Sequence, residues 1–249
     1  MKLSIKLFKI VFSVSLILVL FLYIFSKTFL LKNFTKIEIQ KAHTDTQVVL
    51  KYIQRDLSDL NSMNVDYARW DDTYNYLITR DDNYISSNFS DTTSMARSKI
   101  SFIFITDSLG NPVYKKNIED DTKDMFTEDL TENITSDVYK LLSNSSNKNI
   151  MGIAIHNKNP ILISAERITR NDGSGSSPGI FIFAKYYDED EIADINKNTE
   201  LETELVSYDK DLILNNDSAD KDIFIKVTNE NSITGYGLLK IYFLSHLFL

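Results

Sequence analysis

Hydrophobic and polar positions follow three different periods along the chain. From Ile10 to Leu31 the sequence is apolar almost without interruption, and as a helix this run would rise about 33 Å, the thickness of a hydrocarbon core of about 30 Å. It exceeds the usual signal-peptide core of about 7 to 15 residues and no A-x-A-like cleavage site follows it, which favours an uncleaved anchor over a cleaved signal peptide. A buried core helix fits poorly, because no comparably hydrophobic partner segment exists. From Lys32 to Leu109 there is no Gly or Pro, which permits long helices. Ala42, Val49, Ile53, Leu57 and Leu60 fall on one stripe at helical spacing, and Lys41, Asp45, Lys51, Gln54, Arg55 and Asp59 surround it with polar groups. This predicts an amphipathic stalk helix over 32–62. Thr46 and Asp56 interrupt the seam, so the stripe suits a parallel dimer through the stalk and packing on the chain's own sheet equally.

Residues 63–78 continue the helical period with aromatic weight. At 100° per residue Met63, Tyr67, Trp70, Tyr74, Leu77 and Ile78 share one arc, Asp71 lies on its shoulder, and Asp72 and Tyr76 point away. A carboxylate at the edge of a buried surface must be hydrogen-bonded or paired, so Asp71 is either a structural clasp or a ligand contact. The clasp is the commoner role for such an acid. Asp72 reads as solvated or locally bonded, and Asp81-Asp82 as a helix-ending loop. The period then shortens to that of strands: Ile100 to Ile105, a turn at Asp107–Pro112, and Val113-Tyr114 form one hairpin, and Ile150 to Ile155, a turn at Asn157–Pro160, and Ile161 to Ser164 form another. A short helix carrying Ile134, Val138, Leu141 and Leu142 separates them. The Gly- and Ser-rich stretch 171–178 leads into a fifth strand, Gly179 to Ala184.

Charge divides the molecule further. The 249 residues carry a formal net charge of −8, yet the first 31 hold Lys2, Lys6, Lys9 and Lys27 and no acid, so −12 falls on the remainder. An acidic body excludes nonspecific nucleic-acid binding. By the positive-inside rule the basic residues 1–9 are a cytoplasmic tail and everything after Leu31 is extracytoplasmic. With no Cys there is no disulfide framework or thiolate chemistry. His43, His156 and His246 are dispersed, so no metal site is expected. No Walker loop or dinucleotide fingerprint occurs, and no cofactor is expected. Gly175-Ser-Ser177-Pro-Gly179 matches G-x-S-x-G formally but precedes a strand, where a nucleophile elbow follows one. Asp188 to Glu191 is the acidic first turn of a helix over 192–196 rather than a metal cluster.

Two hairpins and a final strand, with helices before and between them, predict an α+β fold: a five-stranded antiparallel sheet flanked by helices, in the element order of PAS-like and Cache-like sensor domains. Asp66, the cluster Trp70-Asp71-Asp72-Thr73-Tyr74, Tyr84, Asn88, Asp107, Gly110, Tyr114 and the loop entering the strand at Gly179 resemble the fourth type of CHASE domain, over about Gln47 to Ile192. That resemblance implies an extracytoplasmic signal-input module of a prokaryotic membrane receptor, with an undefined ligand and an output such as a histidine kinase or a cyclic-di-nucleotide enzyme. Lys185 stands where the family commonly has Arg.

The resulting organisation is a transmembrane helix over 10–31, the stalk over 32–62, a PAS-like sensor domain over 63–192 and C-terminal strands over 193–249. Ligand contacts are expected at Trp70, Asp71, Asp72 and Tyr74, with Asp66, Tyr84, Asn88, Asp107, Gly110, Tyr114 and Gly179 structural. The partners expected are the membrane, a small-molecule ligand and a second copy through the stalk. The C-terminal run Leu238 to Leu249 is too short to span and holds Lys240 and His246, so the chain is expected to be a receptor cut off before its second span and output domain, a natural terminal strand being the alternative. The function expected is sensing without catalysis. The alternative is a surface interaction or adhesion protein on the same fold.

Overall fold

The computed structural model describes residues 2–144, 148–156, 159–207, 223–228 and 234–239. Helix α1 (Lys2–Phe25) passes through one π-helical turn (Ser26–Leu30) into α2 (Leu31–Ala68), followed by α3 (Asp71–Thr79), α4 (Asp82–Phe89) and α5 (Thr93–Arg97). Strands β1 (Phe102–Asp107) and β2 (Pro112–Asn117) come next, then α6 (Glu128–Ser143), β3 (Asn149–His156), β4 (Asn159–Arg167), β5 (Gly179–Tyr186) and α7 (Glu189–Thr199). The five strands form one antiparallel sheet in the order β2-β1-β5-β4-β3. A second, three-stranded antiparallel sheet joins β6 (Glu202–Ser207), β7 (Ile223–Thr228) and β8 (Thr234–Leu239). The expected run at 240–249 and the hairpin turn at 157–158 lie outside the described residues.

Alternation along the strands sorts the core into two layers. Ile103, Ile105, Leu162, Phe181 and Phe183 face α2, α3 and α4. Phe102, Phe104, Ile163, Ile180 and Ile182 face the other way, toward Leu130, Ile134, Val138 and Leu142 of α6. Both faces of β1, β4 and β5 are therefore covered, which is why these strands appear in the sequence as continuous apolar runs. Helix α6 begins earlier than its apolar positions announce, because Thr127 caps it by accepting from Leu130 N at 3.1 Å and Glu128 and Asp129 complement its dipole.

The stalk stripe is buried within the chain. Val49, Ile53, Leu57 and Leu60 belong to the layer that covers the sheet, and Ala42 and Thr46 are buried below them. Helix α2 also continues beyond residue 62 to Ala68, and polar groups fasten this extension to the sheet. Asn64, fully buried, donates from Nδ2 to the carbonyls of Ser164 (2.9 Å) and Phe181 (3.2 Å). Asn61 Oδ1 accepts from Ser164 Oγ at 3.1 Å, and Arg69 makes two bonds to Glu166 Oε1, at 3.0 Å from Nε and 2.9 Å from Nη2.

The single aromatic helix expected over 63–78 does not exist. The helix ends at Ala68 and restarts at Asp71, with Trp70 in extended conformation between them. No Gly or Pro marks the break; tertiary partners make it. Ala68 O accepts from Thr169 N (3.1 Å) and Tyr67 O from Thr73 Oγ1 (2.7 Å), which satisfies carbonyls at the end of α2. As a result Trp70 and Ile78 are exposed, while Thr73, Tyr76 and Leu77 form the buried side of α3. Of Asp81 and Asp82, Asp81 lies in the two-residue link that follows α3, whereas Asp82 already opens the next helix. The turn falls on Arg80, left-handed at φ 57°, and Asp81 caps the next helix, α4, by accepting from Asn83 N at 3.0 Å.

Gly179 opens β5 opposite Asp107, and a Cβ there would lie 1.9 Å from Thr106 O. Replacing Gly179 with Ala forces the two central strands apart. We expect a loss of about 3 kcal/mol in urea unfolding, the upper part of the range for overpacked sites.

Candidate functional site

At the end of the sheet remote from α1, the α2–α3 break, α3 and the loop after β4 meet. Asp71 and Asn171 bind each other reciprocally: Asp71 N donates to Asn171 Oδ1 and Asn171 N donates to Asp71 Oδ1, both at 3.0 Å. This ties the first turn of α3 to the loop 170–178. Arg170 lies over the Tyr74 ring, 4.4 Å from its centroid, and a Cβ at Gly175 would come within 3.1 Å of the Tyr74 hydroxyl. Trp70, 38% exposed, packs edge-on against Tyr67 at 5.8 Å. Trp70, Asp71 and Tyr74 thus form one half-open patch with Arg170 and Asn171. Asp72, exposed, is outside the Asp71–Asn171 clasp.

Beneath the patch runs an aromatic layer. Tyr67 stacks on Phe181 (5.8 Å), Tyr76 on Tyr84 (5.0 Å) and Phe89 on Tyr114 (5.5 Å). Thr73 already donates its proton to Tyr67 O, so the 2.6 Å contact between Tyr84 and Thr73 is a bond donated by the Tyr84 hydroxyl. Burial drives the Tyr84 hydroxyl far above its usual range, more strongly than the Thr73 contact lowers it, and the ring stays neutral. Burial likewise pushes Tyr114 up to about 12. Asn88 Nδ2 donates to Tyr84 O at 2.8 Å and closes the last turn of α4.

The remaining motif residues shape the turns beside the patch. Asp107 Oδ1 accepts from Leu109 N and Asn111 N, and Oδ2 from Asn111 Nδ2, all at 2.9 Å. Burial works against ionisation there, but these bonds and the charge of Arg80 win and hold the carboxyl below its usual range. Gly110 takes φ +86° in that turn, where a Cβ would collide with the Tyr139 ring. Asp66 is exposed on α2 next to Tyr67.

Sequence reasoning missed Asn64, Arg69, Glu166, Arg170 and Asn171. Asn64 had a signal: it continues the 57, 60 spacing to 64 and 68, placing an amide on the buried seam. Glu166, Arg170 and Asn171 are distant in sequence from their partners, and no local pattern reveals such pairs.

The sequence profile of the CHASE4 domain matches residues 52–206. The chain belongs to the CHASE4 domain family. It is a sensor module of the signal-input kind, on the expected α+β scaffold with a five-stranded antiparallel sheet. Over 174 residues the CHASE4 chain is 24% identical to the methanogenesis regulatory histidine kinase FilI of Methanothrix harundinacea (strain 6Ac), covering 70% of this chain and 20% of that protein. It therefore spans about a fifth of the length of this curated relative. Among solved structures, the periplasmic domain of Vibrio cholerae LuxQ aligns with 13% identity and a TM-score of 0.49, over 81% of this chain and 100% of that one.

Glu166 supplies a pH test of the site's support. Burial raises its carboxyl above the ordinary 4.5, against the opposing pull of Arg69 and Lys148. The folded state then binds a proton more readily than the unfolded one, so the group's contribution to stability declines as pH rises through the window above 4.5. Glu166→Gln removes this titration while other acids titrate in both proteins. In melting curves from about pH 4 to about pH 7, wild type should lose stability relative to Glu166→Gln as pH increases.

Proposed function

We propose that this chain is a membrane-anchored sensor with its CHASE4 module on the extracytoplasmic side and a small-molecule ligand read at the patch of Trp70, Asp71 and Tyr74, with Asp72 at its margin. The observation that carries this reading is the helical path from the apolar segment to the patch. The segment Ile5–Phe29 is long and apolar enough to cross a membrane and is not buried by the rest of the chain. Through one π-helical turn it feeds α2, whose 38 residues rise about 57 Å and end at the break that presents Trp70. With the span placed at 10–31, Lys2, Lys6 and Lys9 lie in the cytoplasm.

A ligand changes such a protein only by binding two conformations with different affinity. Trp70 and Tyr74 offer aromatic surface, Arg170 a cation, and the Asp71–Asn171 pair a clasp that ligand contact would tighten or release. The clasp holds the first turn of α3, three residues beyond the end of α2, so a change in it would be passed to the helix that enters the membrane. The match to FilI supports an output of the histidine-kinase type in the receptor this module serves.

Two measurements test the reading. Protease added to intact cells should digest the acidic body; protection in intact cells with digestion in lysates would overturn the orientation. A thermal-shift screen of small molecules should yield a stabilising compound, worth about 2.7 kcal/mol at a hundredfold excess over Kd, whose effect is lost in Asp71→Ala and Trp70→Ala. A screen without any shift, combined with capture of a specific protein partner, would replace sensing by an adhesion or interaction role.

A further inference from the structure

A buried charge cluster lies between the membrane-derived helix and the C-terminal helix, away from the patch. Lys185, 6% exposed on β5, reaches Asp56 Oδ2 of α2 at 3.0 Å and Glu191 Oε2 of α7 at 3.2 Å. Glu191, itself buried in the first turn of α7, turns its other oxygen to Lys99 at 3.1 Å, and Lys99 holds Asp194 at 2.5 Å. Lys99 is fixed in a left-handed conformation at φ 56° just before β1. The ring of Tyr187 lies 5.6 Å from the Lys185 ammonium, and its buried hydroxyl has no hydrogen-bond partner.

We propose that Lys185, Asp56 and Glu191 form a latch that sets the register of α2 against α7, and that opening it is the step that frees α2 to move. One cation serves two carboxylates on two helices, so a shift of either helix breaks a buried ion pair at Lys185, although Glu191 keeps Lys99 and Asp56 keeps Arg55 at 3.6 Å. Such a cluster contributes little net stability, since desolvation offsets most of the attraction, and its attested use is to select one register. Helix α2 is otherwise held at this level by Val49, Ile53 and Leu57, whose apolar contacts have no direction. The other directional holds, Asn61 and Asn64 on the sheet and Arg69 on Glu166 just past the end of α2, lie 5 to 13 residues further along, about 8 to 20 Å away on the side of the patch. Latch and patch thus grip the same helix at different levels. Asp56 is one of the two residues that interrupt the apolar seam of α2 in the sequence, and its place in the latch accounts for that interruption.

The latch serves the sensor reading, but its geometry is tested without ligand, so a failed ligand screen and a failed latch are separate results. The chain has no Cys and a single Trp, which makes the measurement direct. Spin labels at Gln54→Cys on α2 and Lys197→Cys on α7, both exposed positions, report the separation of the helices in the full chain in nanodiscs, and Trp70 emission reports the patch. In Lys185→Met the label distance should shift or broaden by about 5 Å, one helical turn, and Trp70 emission should shift with it, because α2 ends two residues before Trp70. The neutral variant Asp56→Asn/Lys185→Met/Glu191→Gln should regain most of the melting temperature lost in Lys185→Met, yet keep the broadened distance. A wild-type distance in Lys185→Met, or its return in the neutral variant, would overturn the latch. Should Lys185→Met fail to fold, the distance in the neutral variant decides alone.

Discussion

The seating of α2 across one face of the five-stranded sheet is the contact on which the rest of the molecule depends. Its apolar stripe supplies adhesion, but apolar surfaces slide and rotate against one another at little cost. Direction comes from a few polar groups on the same face. The Asn64 amide bonds two backbone carbonyls on neighbouring strands, and once buried it cannot leave them without exposing unsatisfied groups. Arg69 on Glu166 above, and Asp56 on Lys185 below, fix the same helix at two further levels. Desolvated polar contacts of this kind add specificity more than net stability.

Once α2 is registered, the geometry of the patch follows. Thr169 and Thr73 take carbonyls at its last turn, the helix stops, and the chain turns through Trp70 into α3. Helix α3 then lays Tyr76 and Leu77 on the aromatic layer and presents Asp71 to the loop after β4. A perturbation at the Asp71–Asn171 clasp is only two residues from Arg69, so the patch and the sheet share a mechanical connection through the end of α2. The membrane-compatible helix continues from the other end of that same rod.

The legible part of the design was the part written in local periodicity. Continuous apolar runs marked β1, β3, β4 and β5, and Val113-Tyr114 after the turn marked β2, whose remaining Lys115, Lys116 and Asn117 lie on the half-buried edge of the sheet. Acidic residues 188–191 marked the start of α7, where Asp188 accepts from Asp190 N and Glu191 N as its cap. The stripe of α2 was visible but ambiguous, since a helix face carries no label for what will cover it. The end of α2 was invisible: Asp66 to Tyr74 contains no helix breaker, and the stop is imposed by Thr169, about a hundred residues away in sequence.

The sequence by itself determined the apolar segment, the segregation of charge on either side of it, the stripe of α2, the strands of the five-stranded sheet and the family, since each rests on composition, spacing or a local motif. Tertiary structure alone decided that the stripe of α2 covers the sheet, that Trp70 faces outward, that Asp71 pairs with Asn171 and that Lys185 holds two carboxylates. Apart from Lys185 with Glu191, those outcomes rest on pairings between residues about 100 positions apart or more, or on the competition between a helix's own hydrogen bonds and partners brought by the fold. Neither leaves a periodic trace in the chain.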